Sequence, residues 1–289
     1  MRVVSRSSAL AVAQAEAVRA AIGGAELVTV ANVAGEIGDK ARFVRSVEEA
    51  LLAGEAELGV HSAKDIPGEM SDELALVGVP AREDPADAFV GEASSLAEVP
   101  QGARIGTASL RRRSQLLAAR PDLEVVELRG NVDTRLRKLD ERELDGIVLA
   151  VAGLARLGRS DAIAFRFGAD EMVPAPGQGS LGLQARAGDE RAAEAAAKIS
   201  DREALVEFTA ERAATAALEA TCDTPVGLCA RHMEGTLALA GYAGLADGSE
   251  WVRDALRGDP EQPAALGAAL AERMLAAGAG EILARVRNG

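Results

Sequence analysis

Three arginines follow one another in the stretch TASLRRRS, residues 107–114, and such a run could bind an anion. Between residues 104 and 138 the chain carries nine basic and four acidic side chains, whereas the whole chain of 289 residues has a formal net charge of −13. The planar guanidinium fork fits a carboxylate or a phosphate. This segment therefore predicts a local binding site for a small anion in an acidic protein.

A second group of reactive side chains lies in HSAKDIP, residues 61–67, where polar residues end a predicted strand. Lysine is rare here, with four lysines against 28 arginines, and Lys64 is one of the four. Lys64 and Asp65 could form a surface ion pair that stabilises the fold little. Alternatively, Asp65 stays ionised among cations, stabilises positive charge in a reacting substrate and moves protons. The residues alone leave both interpretations open.

The histidines and cysteines do not predict a metal centre. His61 and His232 are the two histidines, so His61 is interpreted as a hydrogen-bonding residue at a strand end and no metal is expected. Cys222 and Cys229 are seven residues apart and lack a CxxC spacing. The cytosol disfavours a structural disulfide, so we expect at least one of them to be a free thiol.

The elements that must position these residues alternate along the chain. Short β-branched runs such as ELVTV and LEVVEL are followed by segments rich in alanine, leucine and charged residues. This pattern predicts an α/β protein with largely parallel sheets. Composition changes near AREDPADAF and again near VPAPGQGS, two proline-bearing stretches that predict crossings between domains.

The basic motifs fall where strands are predicted to end and helices to begin, as in SRSSALAV, IGTASLRR and RGNVDTR. Ligands of open α/β sheets bind at the carboxyl ends of strands, where helix N-termini present free N–H groups. We therefore expect Arg6, Ser8, Arg111 and Arg112 to face one cleft. The remaining charges Arg113, Arg120 and Arg137 are expected on solvated helix surfaces.

Composition argues against several classes of partner. The chain is 48% apolar and 2% aromatic, with a pI near 4.8. Its acidic charge repels nucleic acids and anionic membranes, and few rings are available for base stacking. Neither the N-terminal MRVVSRSSAL nor the run IVLAVAGLA is long and apolar enough for a signal peptide or for the roughly 20 residues of a membrane span. We expect a cytoplasmic monomer with no membrane or nucleic-acid partner.

Taken together, the motifs resemble the hydroxymethylbilane synthase family, also called porphobilinogen deaminase. The resemblance extends in order through SRSSALAVAQA, HSAKDIP, REDPADAFV, GTASLRRRSQLLAARPDLEVVELRGNVDTRLRKL, DGIVLAVAGLARLG, PAPGQGSLGLQAR and ATCDTPVG, over roughly residues 1 to 230. GTASLRR, RPDL and RGNVDTRLRKL form a highly specific combination.

The resemblance implies an α/β fold of three domains. The first two would resemble type 2 periplasmic-binding-protein domains, and the third would be a small α/β C-terminal domain with an antiparallel sheet. Its implied boundaries are residues 1–82 with 177–198 for domain 1, residues 83–176 for domain 2 and residues 199–289 for the C-terminal domain. The active cleft would lie between the first two domains.

The implied activity is that of a transferase in tetrapyrrole and heme biosynthesis. The family joins four porphobilinogen molecules head to tail into the linear tetrapyrrole hydroxymethylbilane and releases ammonia at each step. It uses a dipyrromethane primer bound covalently to a cysteine. Since porphobilinogen carries acetate and propionate groups, the arginines would bind carboxylates.

The resemblance also implies roles for single residues. Asp65 matches the catalytic aspartate, and Cys222 matches the cysteine that carries the dipyrromethane. Lys40 matches a lysine in a mobile loop over the cleft, whereas Cys229 matches no functional position. The residues that match positions for cofactor and substrate binding are Arg6, Ser8, Lys40, Ser62, Lys64, Thr107, Ser109, Arg111, Arg112, Arg129, Arg135, Arg156 and Gln178.

Several positions depart from the family pattern. Ala220 and Thr221 replace two glycines before Cys222, and Asp223 and Thr224 precede Pro225. Extra Cβ atoms restrict the loop, and a carboxylate beside the thiol disfavours the thiolate. The other departures are Glu36 in place of a lysine, Ala108 in place of a serine and Ser180 in place of an alanine. Primer loading is the step that they would affect.

Two other functions fit parts of the sequence. A binding module that closes on a dicarboxylate without chemistry would use the same fold and the same arginines, but it gives Cys222 and Asp65 no purpose. A nucleic-acid-binding regulator would need a basic face without compensating charge, and the acidic total disfavours it.

Overall fold

The computed structural model describes residues 1–31, 42–68, 70–141, 144–221 and 223–288. In chain order its first half contains β1 (Arg2–Arg6), α1 (Ala9–Ala21), β2 (Glu26–Val30), α2 (Arg42–Leu52), β3 (Leu58–Ser62), a 3-10 turn (Ala63–Asp65), β4 (Leu74–Gly78), β5 (Asp87–Gly91), a 3-10 turn (Leu96–Glu98), β6 (Arg104–Gly106), α3 (Leu110–Ala119), β7 (Glu124–Val126) and α4 (Val132–Asp140). The second half contains β8 (Gly146–Ala150), α5 (Val151–Arg156), a 3-10 turn (Ser160–Ala162), β9 (Phe165–Arg166), β10 (Leu181–Arg186), α6 (Glu190–Ala197), α7 (Arg202–Ala217), β11 (Val226–Met233), β12 (Thr236–Gly244), β13 (Trp251–Gly258), α8 (Pro263–Ala276) and α9 (Ala279–Asn288).

The first sheet has the strand order β2-β1-β3-β10-β4. Strand β1 is parallel to β2 and β3, whereas β10 is antiparallel to β3 and β4. Its core joins the strand residues Val3, Leu58 and Leu183 to Ala15 and Val18 of α1. Alanine favours the helix and its small side chain lets α1 lie close to the strands, which brings the start of α1 to the carboxyl end of β1.

The second sheet repeats this pattern with the order β7-β6-β8-β5-β9. Strand β6 is parallel to β7 and β8, and β5 is antiparallel to β8 and β9. Phe89, Ile105 and Val148 fill its core together with Leu116 of α3. Helix α3 therefore has a fixed position against the sheet, with its first turn beyond the end of β6.

Both sheets are mixed, so the expectation of largely parallel sheets was wrong in this respect. Each contains two parallel and two antiparallel strand pairs. The antiparallel strands β5 and β10 follow segments that cross between the sheets, at residues 79–86 and 167–180, and therefore run opposite to the strands that they join. The domain boundaries given above remain a prediction.

The C-terminal part is a separate antiparallel sheet, β11-β12-β13. Leu228, Leu237 and Leu239 of the sheet pack with Leu270 and Met274 of α8 in one buried cluster. An α/β fold with a small antiparallel C-terminal sheet is thereby confirmed. None of the helices in the described part of the chain is both long and apolar enough to span a membrane.

Candidate active site

Polar residues end or follow four strands of the two larger sheets, β1, β3, β6 and β7, at the points where the next helix or 3-10 turn begins. Ser8 caps α1, Ser109 caps α3 and Asn131 caps α4, each through a side-chain oxygen that accepts a hydrogen bond from a backbone N–H of the first turn. Ser62 precedes the 3-10 turn that holds Asp65. These caps satisfy part of each helix N-terminus and leave the cleft with the partial positive charge of several helix ends.

The first cavity has a volume of about 520 Å³ and lies between the two larger sheets. Its walls come from the segments after β1 and β3 on one side and from those after β7 and β8 on the other. The lining includes nine of the predicted binding residues, namely Arg6, Ser8, Ser62, Lys64, Arg112, Arg129, Arg135, Arg156 and Gln178. Most of these residues are cationic, as a site for carboxylates requires.

A second cavity of about 370 Å³ adjoins the first and shares Lys64, Ala108, Arg112, Arg135 and Gln178 with it. Asp65, Ser109 and Arg111 line only the second. Its far wall contains Ala220, Thr221 and Thr224, which flank position 222 in the chain. The second cavity thus connects the predicted catalytic carboxylate to the loop of the predicted attachment cysteine.

Three of the positions singled out from the sequence are not placed. Cys222, Lys40 and Glu36 lie outside the described residues. Thr107 is buried, and its Oγ1 accepts a hydrogen bond from the Ser109 N–H at 3.2 Å. It is not among the residues that line either cavity, so the structure places it behind the cap of α3.

The Asp65 carboxylate forms an ion pair with Arg6, with 3.2 Å between Oδ2 and Nη2, and both side chains are about four-fifths buried. Neighbouring Lys64 lines both cavities. Burial lowers the pKa of Lys64 to about 8, and the nearby Arg112 guanidinium acts in the same direction. A cation and an anion therefore stand side by side where the two cavities meet.

Arg111 and Arg112, at the start of α3, are both buried and share one counter-ion, Asp87. Arg111 donates to the two carboxylate oxygens at 2.7 and 3.2 Å, and Arg112 donates to one of them at 2.8 Å. Both also donate to backbone carbonyls, those of Val173 and Val148. Arg111 Nε has no hydrogen-bond partner within the described part of the chain.

The other predicted arginines lie in different surroundings. Arg129 is half exposed and pairs with exposed Glu127 at 2.6 Å. Arg135 Nε donates to Gly130 O at 2.8 Å, and burial together with the charge of Arg112 lowers the pKa of Arg135 to about 10. Arg156 donates to Gly179 O at 2.7 Å. Arg135 and Arg156 are thus held through backbone carbonyls.

The backbone of residues 177–180 approaches Lys64 closely because Gly177 has no side chain. Its φ of +73° is unfavourable for other residues, and a Cβ there would stand 2.8 Å from the backbone of Ala63 and Lys64. The approach places Gln178 and Ser180 at the first cavity. The buried Ser180 Oγ finds no hydrogen-bond partner among the residues described.

Sequence reasoning missed two residues that hold these groups in place. Asp87 stands in the quoted motif REDPADAFV, but the motif alone did not distinguish it from the acidic residues beside it. Gln14, in SRSSALAVAQA, is buried in α1, and its amide lies 2.9 Å from Ser62 Oγ. The sequence signal for Gln14 was its position, as a polar residue, on a helix face that is otherwise apolar, with Ala11, Ala15 and Val18 beside it.

Buried charges outside the cavities also connect the sheets. Arg82, in the first crossing segment, pairs with Glu211 at 2.7 Å and with Glu207 at 3.1 Å, both on α7. Glu211 in turn accepts hydrogen bonds from the N–H groups of Gly177 and Ala230. Although burial opposes it, the Glu211 charge raises the pKa of Arg82. This network stabilises the segment that carries Gln178.

His61 and Cys229, for which the sequence predicted no catalytic or metal-binding role, are both buried. His61 Nε2 lies 2.9 Å from Gln184 Oε1, in agreement with its interpretation as a hydrogen-bonding residue, and burial lowers the pKa of His61 to about 4. Cys229 lies in the core with Val173 and Tyr242, and burial raises the pKa of its thiol to about 12. Cys229 is therefore poorly suited to act as a nucleophile.

A chain with two similar α/β sheets and arginine-lined cavities between them belongs to the class of proteins that enclose a small anionic ligand. The family model described as "Porphobilinogen deaminase, dipyromethane cofactor binding domain" matches residues 1–194, and the model described as "Porphobilinogen deaminase, C-terminal domain" matches residues 205–276. The chain belongs to the porphobilinogen deaminase family, so the family expected from the motifs is confirmed, together with its domain for a dipyrromethane cofactor.

Curated relatives agree with this assignment. The porphobilinogen deaminase of Roseiflexus sp. (strain RS-1) is 49% identical over 250 residues, which cover 86% of this chain and 82% of that protein. The porphobilinogen deaminase of Syntrophotalea carbinolica is 46% identical over 250 residues, 86% of this chain and 79% of that protein. Both relatives are matched over most of their length.

Solved structures give more distant likenesses. A TRAP periplasmic solute binding protein from Desulfovibrio salexigens is 8% identical with a TM-score of 0.41, over 69% of this chain and 72% of that one. The L-cystine solute receptor of Neisseria gonorrhoeae is 18% identical with a TM-score of 0.39, over 69% of this chain and 82% of that one.

Proposed function

We propose that this chain is a transferase that condenses four porphobilinogen molecules head to tail into hydroxymethylbilane and releases ammonia at each condensation. Membership of the porphobilinogen deaminase family supports this reaction. The observation that carries the proposal in the structure is the pair of adjoining cavities, which share five residues and connect Asp65 to the loop around position 222.

The charge of the cavities suits the substrate. Porphobilinogen carries an acetate and a propionate, and every added ring brings two more carboxylates. Arg6, Arg129, Arg135 and Arg156 line the first cavity, and arginine binds carboxylates through paired N–H donors. Because these cations are confined to a cleft in an acidic protein, they select small anions over polyanions.

The surroundings of Asp65 support its proposed role as the catalytic carboxylate. It pairs with Arg6, and its largely buried setting strengthens its interaction with a cation. We assign it the stabilisation of positive charge on the pyrrole nitrogen as the aminomethyl group leaves as ammonia. Arg6 would orient Asp65 and bind a substrate carboxylate, while Lys64 would stabilise anionic groups in both cavities.

The residues around the second cavity fit a dipyrromethane. They combine several cations, among them Lys64, Arg111 and Arg112, and they adjoin the residues on either side of position 222. When bound, the dipyrromethane supplies the pyrrole carbon from which the chain grows and a covalent tether. Cys222 would carry it, Lys40 would cover the cleft, and the residues that would hold its carboxylates and rings are Lys64, Ser109, Arg111, Arg112, Arg135 and Gln178, whereas Thr107 would support Ser109 from behind the cap of α3.

The proposal includes a cytoplasmic monomer that binds neither nucleic acid nor membranes. Both cavities are built from residues of one chain, so catalysis needs no second copy. The net charge of −13 disfavours nucleic acid and anionic lipid. The cytoplasm keeps thiols reduced, which suits a cysteine that must be free when the primer attaches.

The intact mass of the purified chain tests the proposal. We expect a covalent excess equal to two linked pyrrole units in active wild-type protein and its loss in Cys222→Ser. Cys229→Ser is the matched control, and its preparation should keep the excess because that thiol is buried in the core. A polypeptide of unmodified mass that still consumes porphobilinogen would refute the covalent primer, whereas a module that only binds dicarboxylates would show neither the excess nor ammonia release.

A further inference from the structure

Asp87 is the first residue of β5 and follows the segment that crosses from the first sheet to the second. Its side chain is fully buried. An isolated buried carboxylate is strongly disfavoured unless cations and hydrogen-bond donors surround it. The identity of its partners therefore indicates what its burial accomplishes.

The three side chains that donate to Asp87 all line the cavities. Besides its hydrogen bonds from Arg111 and Arg112, Asp87 Oδ1 accepts one from Gln178 Nε2 at 3.0 Å. The pKa of Asp87 is far below its usual range because these two arginines outweigh the effect of burial. Asp87 therefore keeps its charge over the whole working pH range.

One carboxylate between two guanidinium groups leaves one net positive charge. Without Asp87, two like charges would stand close together in a buried site, where repulsion is strong. Among the described residues, the other hydrogen-bond acceptors of the two guanidinium groups are the neutral carbonyls of Val173 and Val148. Arg111 Nε has no acceptor there. Those carbonyls fix one edge of each guanidinium but do not offset its charge.

The comparison with Arg82 separates this arrangement from a purely structural ion pair. Arg82 and its partners Glu207 and Glu211 are also buried, but none of the three lines either cavity. The partners of Asp87, in contrast, are cavity-lining residues on α3 and in the second crossing segment. Asp87 is thus placed to act on a ligand through other side chains.

We propose that Asp87 is a positioning residue, which holds Arg111, Arg112 and Gln178 in a fixed arrangement at the cavities and cancels one of the two arginine charges, so that the pair presents a single net charge to substrate and primer carboxylates. This inference rests on the proposed function, because it assigns these three residues to carboxylate and ring binding. Asp87 itself contacts no ligand in this scheme.

The geometric part can be tested without turnover. Arginine modification by phenylglyoxal would be mapped by mass spectrometry in full-length Cys222→Ser and in Cys222→Ser/Asp87→Asn, so that primer loading does not differ between them. We expect the modification of Arg111 and Arg112, normalised to exposed Arg129, to increase at least about fivefold when Asp87 is lost, since the pair is no longer held in place. Unchanged reactivity of both arginines would overturn the proposal.

The functional part uses the wild-type Cys222. For Asp87→Asn we expect kcat/KM for porphobilinogen to fall at least about 100-fold, the range measured when one partner of a buried charge pair is removed. Asp87→Glu keeps the charge but displaces it by a methylene, and we expect it to recover at least about a tenth of wild-type kcat/KM. Asp84→Asn is the matched control in the same segment, because Asp84 is exposed and pairs with exposed Arg166.

A double variant distinguishes positioning from simple stabilisation. If Asp87 acts through the arginines, Asp87→Asn/Arg111→Gln should lose no more kcat/KM than the worse single variant. This double variant removes one negative and one positive charge, so the buried site keeps its net charge. If Asp87→Asn does not fold, kcat/KM is measured for the double variant and for Asp87→Glu instead. Multiplicative losses, or a folded Asp87→Asn within threefold of wild type, would overturn the proposal. Failure of the proposed function itself would differ, since wild type would then lack the pyrrole mass and turnover while the arginine reactivity still reports on Asp87.

Discussion

The two arginines at the start of α3 and Arg129, which precedes α4, reach the same cleft from different electrostatic surroundings. Arg111 and Arg112 are at least nine-tenths buried and are held by a fully buried carboxylate. Arg129 has 56% of its side chain exposed and an exposed partner, Glu127, two residues away in the chain. The first two are fixed by a contact between distant parts of the chain, whereas the ion pair of Arg129 joins residues that are close in the chain.

These contrasting surroundings suit two separate tasks in one cleft. A primer that stays attached is best held by groups that need not rearrange, since preorganised donors lose little entropy on binding. Successive substrates of increasing length are better met by side chains that can leave a weak surface ion pair at small cost. The buried pair at α3 suits the first purpose, and the exposed charge near α4 suits the second.

Among these variants, removal of a buried arginine should cause the largest loss of activity and of stability. For Arg112→Gln we expect loss of the covalent pyrrole mass and of turnover, together with a decrease in the free energy of unfolding of up to about 3–5 kcal/mol, because Asp87 loses one of its two cations. Chemical denaturation and intact mass measure the two effects. Arg113→Gln is the control on the same helix, since Arg113 donates to Val125 O and lines neither cavity. Loss of primer in both variants would attribute the effect to α3 as a whole.

The exposed arginine should behave in the opposite way. For Arg129→Gln we expect a change in the free energy of unfolding within about 0.5 kcal/mol and retention of the primer. KM for porphobilinogen should rise about tenfold, because a hydrogen bond to a charged group contributes about 1.5–3 kcal/mol. Steady-state kinetics and a thermal melt on one preparation test this pair of results. A large loss of stability with unchanged KM would reverse the roles assigned to the two regions.

The local sequence pattern predicted the helix starts near which these arginines lie. SRSSALAV and IGTASLRR each form a strand end, a turn and a capped helix start, as their spacing indicated, because these features depend on neighbouring residues. RGNVDTR forms a capped helix start but no strand end, since β7 already ends at Val126. The α/β class followed for the same reason. The antiparallel direction of β5 and β10 could not be predicted, since strand direction depends on which end of the sheet the chain returns to.

The division between the two arginine groups was also beyond the sequence. Arg111 meets Asp87 across 24 residues and Gln178 meets it across 91, and no local signal marks one carboxylate among the acidic residues of AREDPADAF as the buried one. For Arg120 the sequence predicted too much exposure to solvent. It was expected as a solvated helix charge, but it donates to the carbonyls of Leu96 and Val99 and so fixes the end of α3.

The smallest change in activity is expected from the titration of Lys64, which lines both cavities. Its pKa is lowered from 10.5 to about 8, so between these pH values the unfolded chain binds more protons and this residue makes stability rise with pH. Carboxylate binding follows the opposite direction, because it needs the ammonium form. We expect KM for porphobilinogen to rise severalfold between about pH 7 and 9, and to stay flat over that range in Lys64→Arg, whose charge does not titrate there. Equal pH profiles for the two proteins would show that the ammonium of Lys64 contributes nothing to either cavity.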